Sequence, residues 1–153
     1  MLRKDRERRD DAFLQEVLAK AQVVTLAFSD ENGPYVIPVN FVSVPGGICF
    51  HCALAGHKLD CIARDARVGF SVYCDMSIDQ RLATTRYSSI SGVGLAEMVD
   101  DITEKQHILE LLAKKFESRC TLPVPAATAE KTGVVFIRIE HWCGKYNPPS
   151  DTL

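Results

Sequence analysis

The hydrophobic positions of this chain change period several times, and each change marks an element. Over 10–20 (DDAFLQEVLAK), Phe13, Leu14, Val17 and Leu18 fall on one helical face, with Asp10 or Asp11 available as the cap. VVTLAFS (23–29) is apolar and β-branched, as a buried strand should be. DENG (30–33) predicts a hairpin turn, with Asn32 and Gly33 supplying positive φ. PYVIPVNFVSV (34–44) is then the returning strand, and Pro38 inside it demands an edge position or a bulge. PGG (45–47) turns the chain again into a third strand, ICFHC (48–52).

Leu59, Ile62 and Ala63 share a helical face within 55–65, so a short helix is expected to open near Gly56. In RVGFSVY (67–73), Val68, Phe70 and Val72 alternate with Gly69, Ser71 and Tyr73, the period-two signature of a half-buried strand. A loop is expected over 75–85 and a long strand over 86–100. Thr103 and Gln106 carry a capping-box signature, and Ile108, Leu109, Leu112 and Phe116 follow at helical spacing. Residues 121–131 read as a loop, and 133–145 as a strand in which Ile137 and Ile139 alternate with Arg138 and Glu140. The sum is about six strands and three helices, with consecutive hairpins that impose antiparallel pairing. That is a mainly-β chain: a small antiparallel barrel with flanking helices, in one domain over 1–153. It is neither a βαβ array nor a carrier of GxGxxG.

Composition narrows the picture. At 153 residues, 46% of them hydrophobic and 25% charged, the chain fits one ordinary globular core. A formal net charge of -2 gives no basic field for nucleic acid. No apolar run approaches a membrane span, and the charged MLRKDRERRDD start is not a secretory signal, so a cytoplasmic location is expected. In that setting the six cysteines are expected as thiols rather than disulfides.

The densest chemistry lies in FHCALAGHK (50–58) with Cys49 before it. Cys49 and Cys52 have zinc-knuckle spacing, but on a strand they face opposite sides, which weakens a metal reading. Cys49 and His51 share a face, yet nothing else marks a thiol nucleophile. The third reading is an anion site: a small-residue turn leads into a helix whose N-terminus carries His57 and Lys58. By position alone a solvated Lys58 is equally good.

FHCALAGHKLDCIARDARVGFSV resembles the hallmark segment of the FMN-binding split-barrel proteins of the pyridoxamine-phosphate-oxidase-like superfamily, with the nitroimidazole-resistance (Nim-type) reductases as the nearest subgroup. RKDRE, GPYVIPVNFV, YSSISGVGLAEMVDD and IRIEHWCGK agree in order, so the likeness spans roughly residues 1 to 146. The resemblance implies a six-stranded Greek-key split barrel, a homodimer with FMN at the subunit interface. It implies that Pro38, Val39, Asn40 and Phe41 lie along the flavin ring through main-chain groups. It assigns the flavin phosphate to His57 and Lys58, and hydroxyl contacts to Ser89 with Tyr87 or Ser88. It puts His51 near the ring, where an imidazole can donate protons to a substrate, and leaves Trp142 to stack on the flavin or fill the dimer core. The plainer readings are an interface histidine for His51 and outward polar positions for Ser88 and Ser89.

Function follows the resemblance: an FMN-dependent oxidoreductase acting on a small aromatic or nitro-substituted, nitroimidazole-like molecule. The alternatives are a flavin- or haem-binding storage protein, with His51, His57 and His141 as axial ligands, and a pyridoxamine-phosphate oxidase. The last is disfavoured, because those enzymes use an arginine near the C-terminus, whereas here the last arginine is Arg138 and the tail reads YNPPSDTL.

Overall fold

The computed structural model describes residues 3–148. After a 3₁₀ turn (Lys4–Arg6) and the two-residue strand β1 (Glu7–Arg8) comes α1 (Asp11–Lys20). Asp10 is the cap: its carboxylate accepts the Phe13 N–H at 3.0 Å. Phe13, Leu14, Val17 and Leu18 are all buried, the face that the periodicity predicts.

β2 (Val23–Asp30) and β3 (Gly33–Asn40) form an antiparallel hairpin. Gly33, with φ 119°, takes the left-handed position of this turn; Asn32 is not among the positive-φ residues. The predicted single strand 34–44 is in fact two. β3 stops at Asn40, and β4 (Val42–Val44) starts after the single residue Phe41. β4 pairs with β5 (Gly47–Cys52), and β5 with the first half of β8 (Gly133–Asn147). Between them in sequence lie α2 (His57–Arg64), β6 (Arg67–Asp79), β7 (Thr84–Met98), α3 (Ile102–Lys115) and α4 (Ala126–Glu130).

The sheet order is β3-β2-β6-β7-β8-β5-β4, with β1 added beside β8, and every ladder is antiparallel. β3 and β4 are therefore opposite ends of the order, yet one residue joins them. A sheet can satisfy this only by curling until its two edges meet. β3 packs against β5 there without a hydrogen-bonded ladder, so the barrel is closed by packing and open in its bonding. Pro38 sits on β3, an edge strand, as its missing N–H requires.

Two apolar clusters result. The inner one gathers Val24, Leu26, Phe28, Phe41, Ile48, Phe50, Val68, Phe70, Val72, Ile90 and Ile137, capped by α1 and by Cys61 and Ile62 of α2. The second lies on the outer face of β4, β5 and β8, where Val42, Cys49 and Val134 meet Ile108 and Leu112 of α3.

Several sequence expectations need correcting. The described residues hold eight strands rather than six, because the 34–44 strand divides and β1 adds a short edge. The expected loop 75–85 is mostly strand: β6 runs on to Asp79 through a bulge between Cys74 and Ser77. Asp101, not Thr103, caps α3 by accepting the Glu104 N–H at 2.8 Å, and Gln106 donates instead to the Val124 carbonyl. The loop 121–131 contains α4.

Candidate functional site

The place where β3 meets β5 is also a cleft of about 510 Å³. Asn40, the last residue of β3, and His51, near the end of β5, both line it. Its other wall is α3 (Leu109, Leu112, Ala113, Phe116), and Ser118, Cys120 and Thr121 of the segment that follows add to the lining. Both Asn40 and His51 are exposed, each on the outward parity of its strand. Asn40 is steadied by its side-chain amide, which donates to the Gln22 carbonyl at 3.3 Å. As an edge, β3 also offers main-chain groups that no ladder uses.

The rest of the β3 quartet divides by parity. Pro38 points outward and is exposed; Val39 packs half-buried against the inner cluster. Phe41 is fully buried, so only its main chain is available to a ligand.

Beyond β5 the chain turns through Ala53–Ala55 into α2. Gly56 is the residue before the helix, with φ 138°, and no atom lies within 4 Å of where its Cβ would stand. Its carbonyl receives the Leu59 and Asp60 N–H groups, while the first amides of the helix, those of His57 and Lys58, precede any intrahelical acceptor. Lys58 is half-buried and lies close enough to Cys52 for its charge to oppose the effect of burial, which pushes that thiol up. The His57 ring is engaged elsewhere: Nε2 is 3.4 Å from Asp30 Oδ2 and 3.8 Å from Cys61 Sγ, and Tyr35 meets it edge-on at 4.6 Å. The Asp30 carboxyl is held below its usual range, first by the Glu31 N–H, then by His57 and Arg64.

Strand parity separates the cysteines as anticipated. Cys49 faces the outer cluster under α3 and Cys52 packs against the inner one, so the two thiols do not converge. Burial pushes the Cys49 thiol up to about 12, far from a nucleophile's range.

The remaining sequence candidates lie on β7 and β8. Ser89 is half-exposed on the outer face, where it lines a trough of about 540 Å³ with Tyr87, Ser91, Cys143 and Lys145. Ser88 has the opposite parity and is 6% exposed. Trp142 packs half-buried against the inner cluster, beside Leu14 and Leu18 of α1. His141 is exposed on β8, opposite Val93. Arg138 reaches Glu97 and Glu140 at 3.8 and 3.6 Å, and the tail beyond Pro148 lies outside the described residues.

Sequence reasoning missed part of the lining of the cleft. Ser118, Cys120 and Thr121 come from a segment with no periodicity, and nothing in their order signals that they line the same cleft as His51. It also missed Asp30, read only as a turn residue, as the partner of His57.

Residues 10–145 match the pyridoxamine 5'-phosphate oxidase family. Among solved structures, a candidate 5-nitroimidazole antibiotic resistance protein from Bacteroides thetaiotaomicron superposes with a TM-score of 0.79 at 19% identity, covering 91% of this chain and 85% of that one. A FAD- and haem-binding protein from Mycobacterium smegmatis gives 0.79 at 20% identity over 95% and 76% of the two chains. A flavocytochrome from Azotobacter vinelandii gives 0.79 at 18% identity, covering 94% and 70%. No curated protein matches the sequence. At these identities the superpositions establish the fold: a mainly-β, curled antiparallel barrel with flanking helices.

Proposed function

The chain belongs to the pyridoxamine 5'-phosphate oxidase-like family of flavin-binding split barrels, and on that premise we propose that it is an FMN-dependent oxidoreductase that reduces a small aromatic or nitro-substituted molecule. The observation that carries the reading is the shared cleft of Asn40 and His51 at the open seam between β3 and β5. Two strands far apart in the sheet order supply it, one bringing unladdered main-chain groups and the other an exposed imidazole.

The residues present fit a flavin mononucleotide. The unladdered edge of β3, at Pro38, Val39 and Asn40, suits the polar rim of a flat heterocycle, and the linking residue Phe41 contributes main chain alone. The start of α2 provides free amides and the Lys58 ammonium for a phosphate. His57 stands on the same turn, its ring held by Asp30 and Tyr35. Ser89 and Tyr87 place hydroxyls on the outer face of the sheet. Bound FMN supplies the electron transfer. The chain's own residues bind and orient the reactants, and His51 holds a proton where a substrate in the cleft can take it up.

Assembly as a homodimer belongs to the same reading. Val23, Val36, Tyr73 and Val93 are 44, 53, 60 and 47% exposed and lie on the outer face of β2, β3, β6 and β7. Left bare, such a face is costly in water, and a second copy would cover it.

The test is reconstitution of the purified chain with FMN, followed by anaerobic reduction and addition of a nitroimidazole. Loss of the nitro absorbance with turnover supports the reading; an intact nitroimidazole removes that substrate class. A monomer that holds one FMN per chain would remove the dimer. A red protein with a Soret band in place of a yellow one would replace the flavin with haem.

A further inference from the structure

At the junction of β2 and α2, three side chains of different chemistry converge. We propose that Asp30, His57 and Cys61 form a binding site for a borderline-soft divalent cation, with zinc preferred over magnesium or calcium. The three donor atoms, a carboxylate oxygen, Nε2 and Sγ, all lie within 4.8 Å of one another. Among the described residues no other trio of such side chains meets in this way.

The spacing matches a tetrahedral ion. With metal bonds of about 2.0 Å to nitrogen and oxygen and about 2.3 Å to sulfur, neighbouring donors stand roughly 3.3–3.7 Å apart. His57 Nε2 is 3.4 Å from Asp30 Oδ2 and 3.8 Å from Cys61 Sγ, so two of the three donor pairs already stand near that spacing, and the third lies within 4.8 Å. The sequence supplies the pair cheaply: His57 and Cys61 are four apart on one helix and share a face. Asp30 comes from the end of β2, which α2 packs against.

The surroundings hold these donors in place. Asp30 Oδ1 accepts the Glu31 N–H at 2.7 Å and faces Arg64 Nη2 at 3.4 Å, which leaves Oδ2 turned to His57. Tyr35 packs edge-on against the imidazole and fixes its plane. Such outer partners orient ligands in known metal centres. Charge also closes: a carboxylate and a thiolate neutralise a dication. Soft sulfur and imidazole select zinc over the hard cations, which require oxygen donors. Cys61 is 2% exposed and the His57 side chain 51%, so the ion would enter from the His57 side, with a fourth position left open to water or an anion. On binding, the Cys61 S–H bond breaks, sulfur bonds the metal, and the proton passes to solvent.

The site goes beyond the flavin reading and shares only His57 with it, so Lys58 separates the two. The full chain is titrated with Co²⁺ as the probe and then with Zn²⁺ in competition. The expected result is one Co²⁺ per chain, a thiolate-to-cobalt charge-transfer band with intense tetrahedral d–d bands, and their loss on adding Zn²⁺. Cys61→Ser and Asp30→Asn should remove or weaken the bands. His57→Ala, at an exposed side chain on the first helical turn, should weaken Zn²⁺ binding by at least the roughly 10–100-fold that loss of an outer partner alone costs, even if a buried variant misfolds. Lys58→Ala should leave the cobalt spectrum unchanged while impairing FMN binding. A wild-type chain with no thiolate–cobalt band would overturn the proposal, as would a band that survives in Cys61→Ser or a Zn²⁺ affinity unchanged in His57→Ala.

Discussion

Nζ of Lys115 stands 4.0 Å above the centre of the Phe41 ring, the single residue through which the chain crosses from one edge of the sheet to the other. It also donates to the Leu18 carbonyl at 3.2 Å, tying the end of α3 to α1. Burial pushes this ammonium down to about 8, below its ordinary value of 10.5. The ring face and the carbonyl offset part of that cost.

The consequence is a stability that depends on alkaline pH. Between about 8 and 10.5 the unfolded chain holds the Lys115 proton more tightly than the folded chain does. The penalty is complete below pH 8 and is relieved as pH rises through that window. Denaturant unfolding of wild type and Lys115→Met, taken across it, should show the wild type gaining on the order of 2 kcal/mol relative to the variant. Parallel curves would mean that the amine is solvated in the folded state.

A glycine sets the close pairing of the short strands. A Cβ on Gly47 would stand 2.1 Å from the Ile137 carbonyl oxygen and 2.7 Å from the Phe136 ring, both on β8. The backbone atom cannot yield without breaking the β5–β8 ladder. Gly47→Ala should therefore cost on the order of 3 kcal/mol in equilibrium unfolding. Gly56→Ala meets no neighbour, but its φ of 138° should cost about 1 kcal/mol.

What the sequence made legible was local. The α1 face, the period-two strand 67–73, the opening of α2 after Gly56 and the separation of Cys49 from Cys52 all follow from 3.6- and 2-residue periods, which act over a few residues. The split at Phe41 was not legible, because PVNFVSV is β-prone throughout and only closure of the barrel decides where it breaks. Continuation of β6 past Cys74 was hidden for a related reason: a bulge interrupts the alternation on which a strand is recognised. At the candidate site, the strand and turn residues Asn40, His51 and Lys58 came from motif likeness. The walls around Asn40 and His51 are assembled from α3 and the segment after it, a long-range contact with no local code.

Lys58 tests the phosphate half of the site. A charge-assisted contact from an ammonium to a phosphate contributes roughly 1.5–3 kcal/mol, or about a tenfold to hundredfold in affinity. Lys58→Ala should weaken FMN by that factor and leave riboflavin, which lacks the phosphate, almost unchanged. The FMN affinity of wild type should also fall with added salt more steeply than that of the variant. Equal losses for FMN and riboflavin would show that Lys58 supports the fold of the turn and not the phosphate.

His51 tests the chemical half. It is exposed in the cleft, on the strand face it shares with Cys49, and its removal opens no buried cavity. His51→Gln keeps hydrogen bonding but cannot carry a proton at neutral pH. If the imidazole delivers protons, the variant should bind FMN as wild type does, and its turnover of a nitro substrate should fall by about a hundredfold, within the usual range for a lost general acid. The shape of the pH–rate profile should change in the variant at the same time. A variant that loses turnover while keeping the shape of the wild-type profile would make His51 a positioning residue for substrate. One that loses FMN outright would place the ring itself against His51.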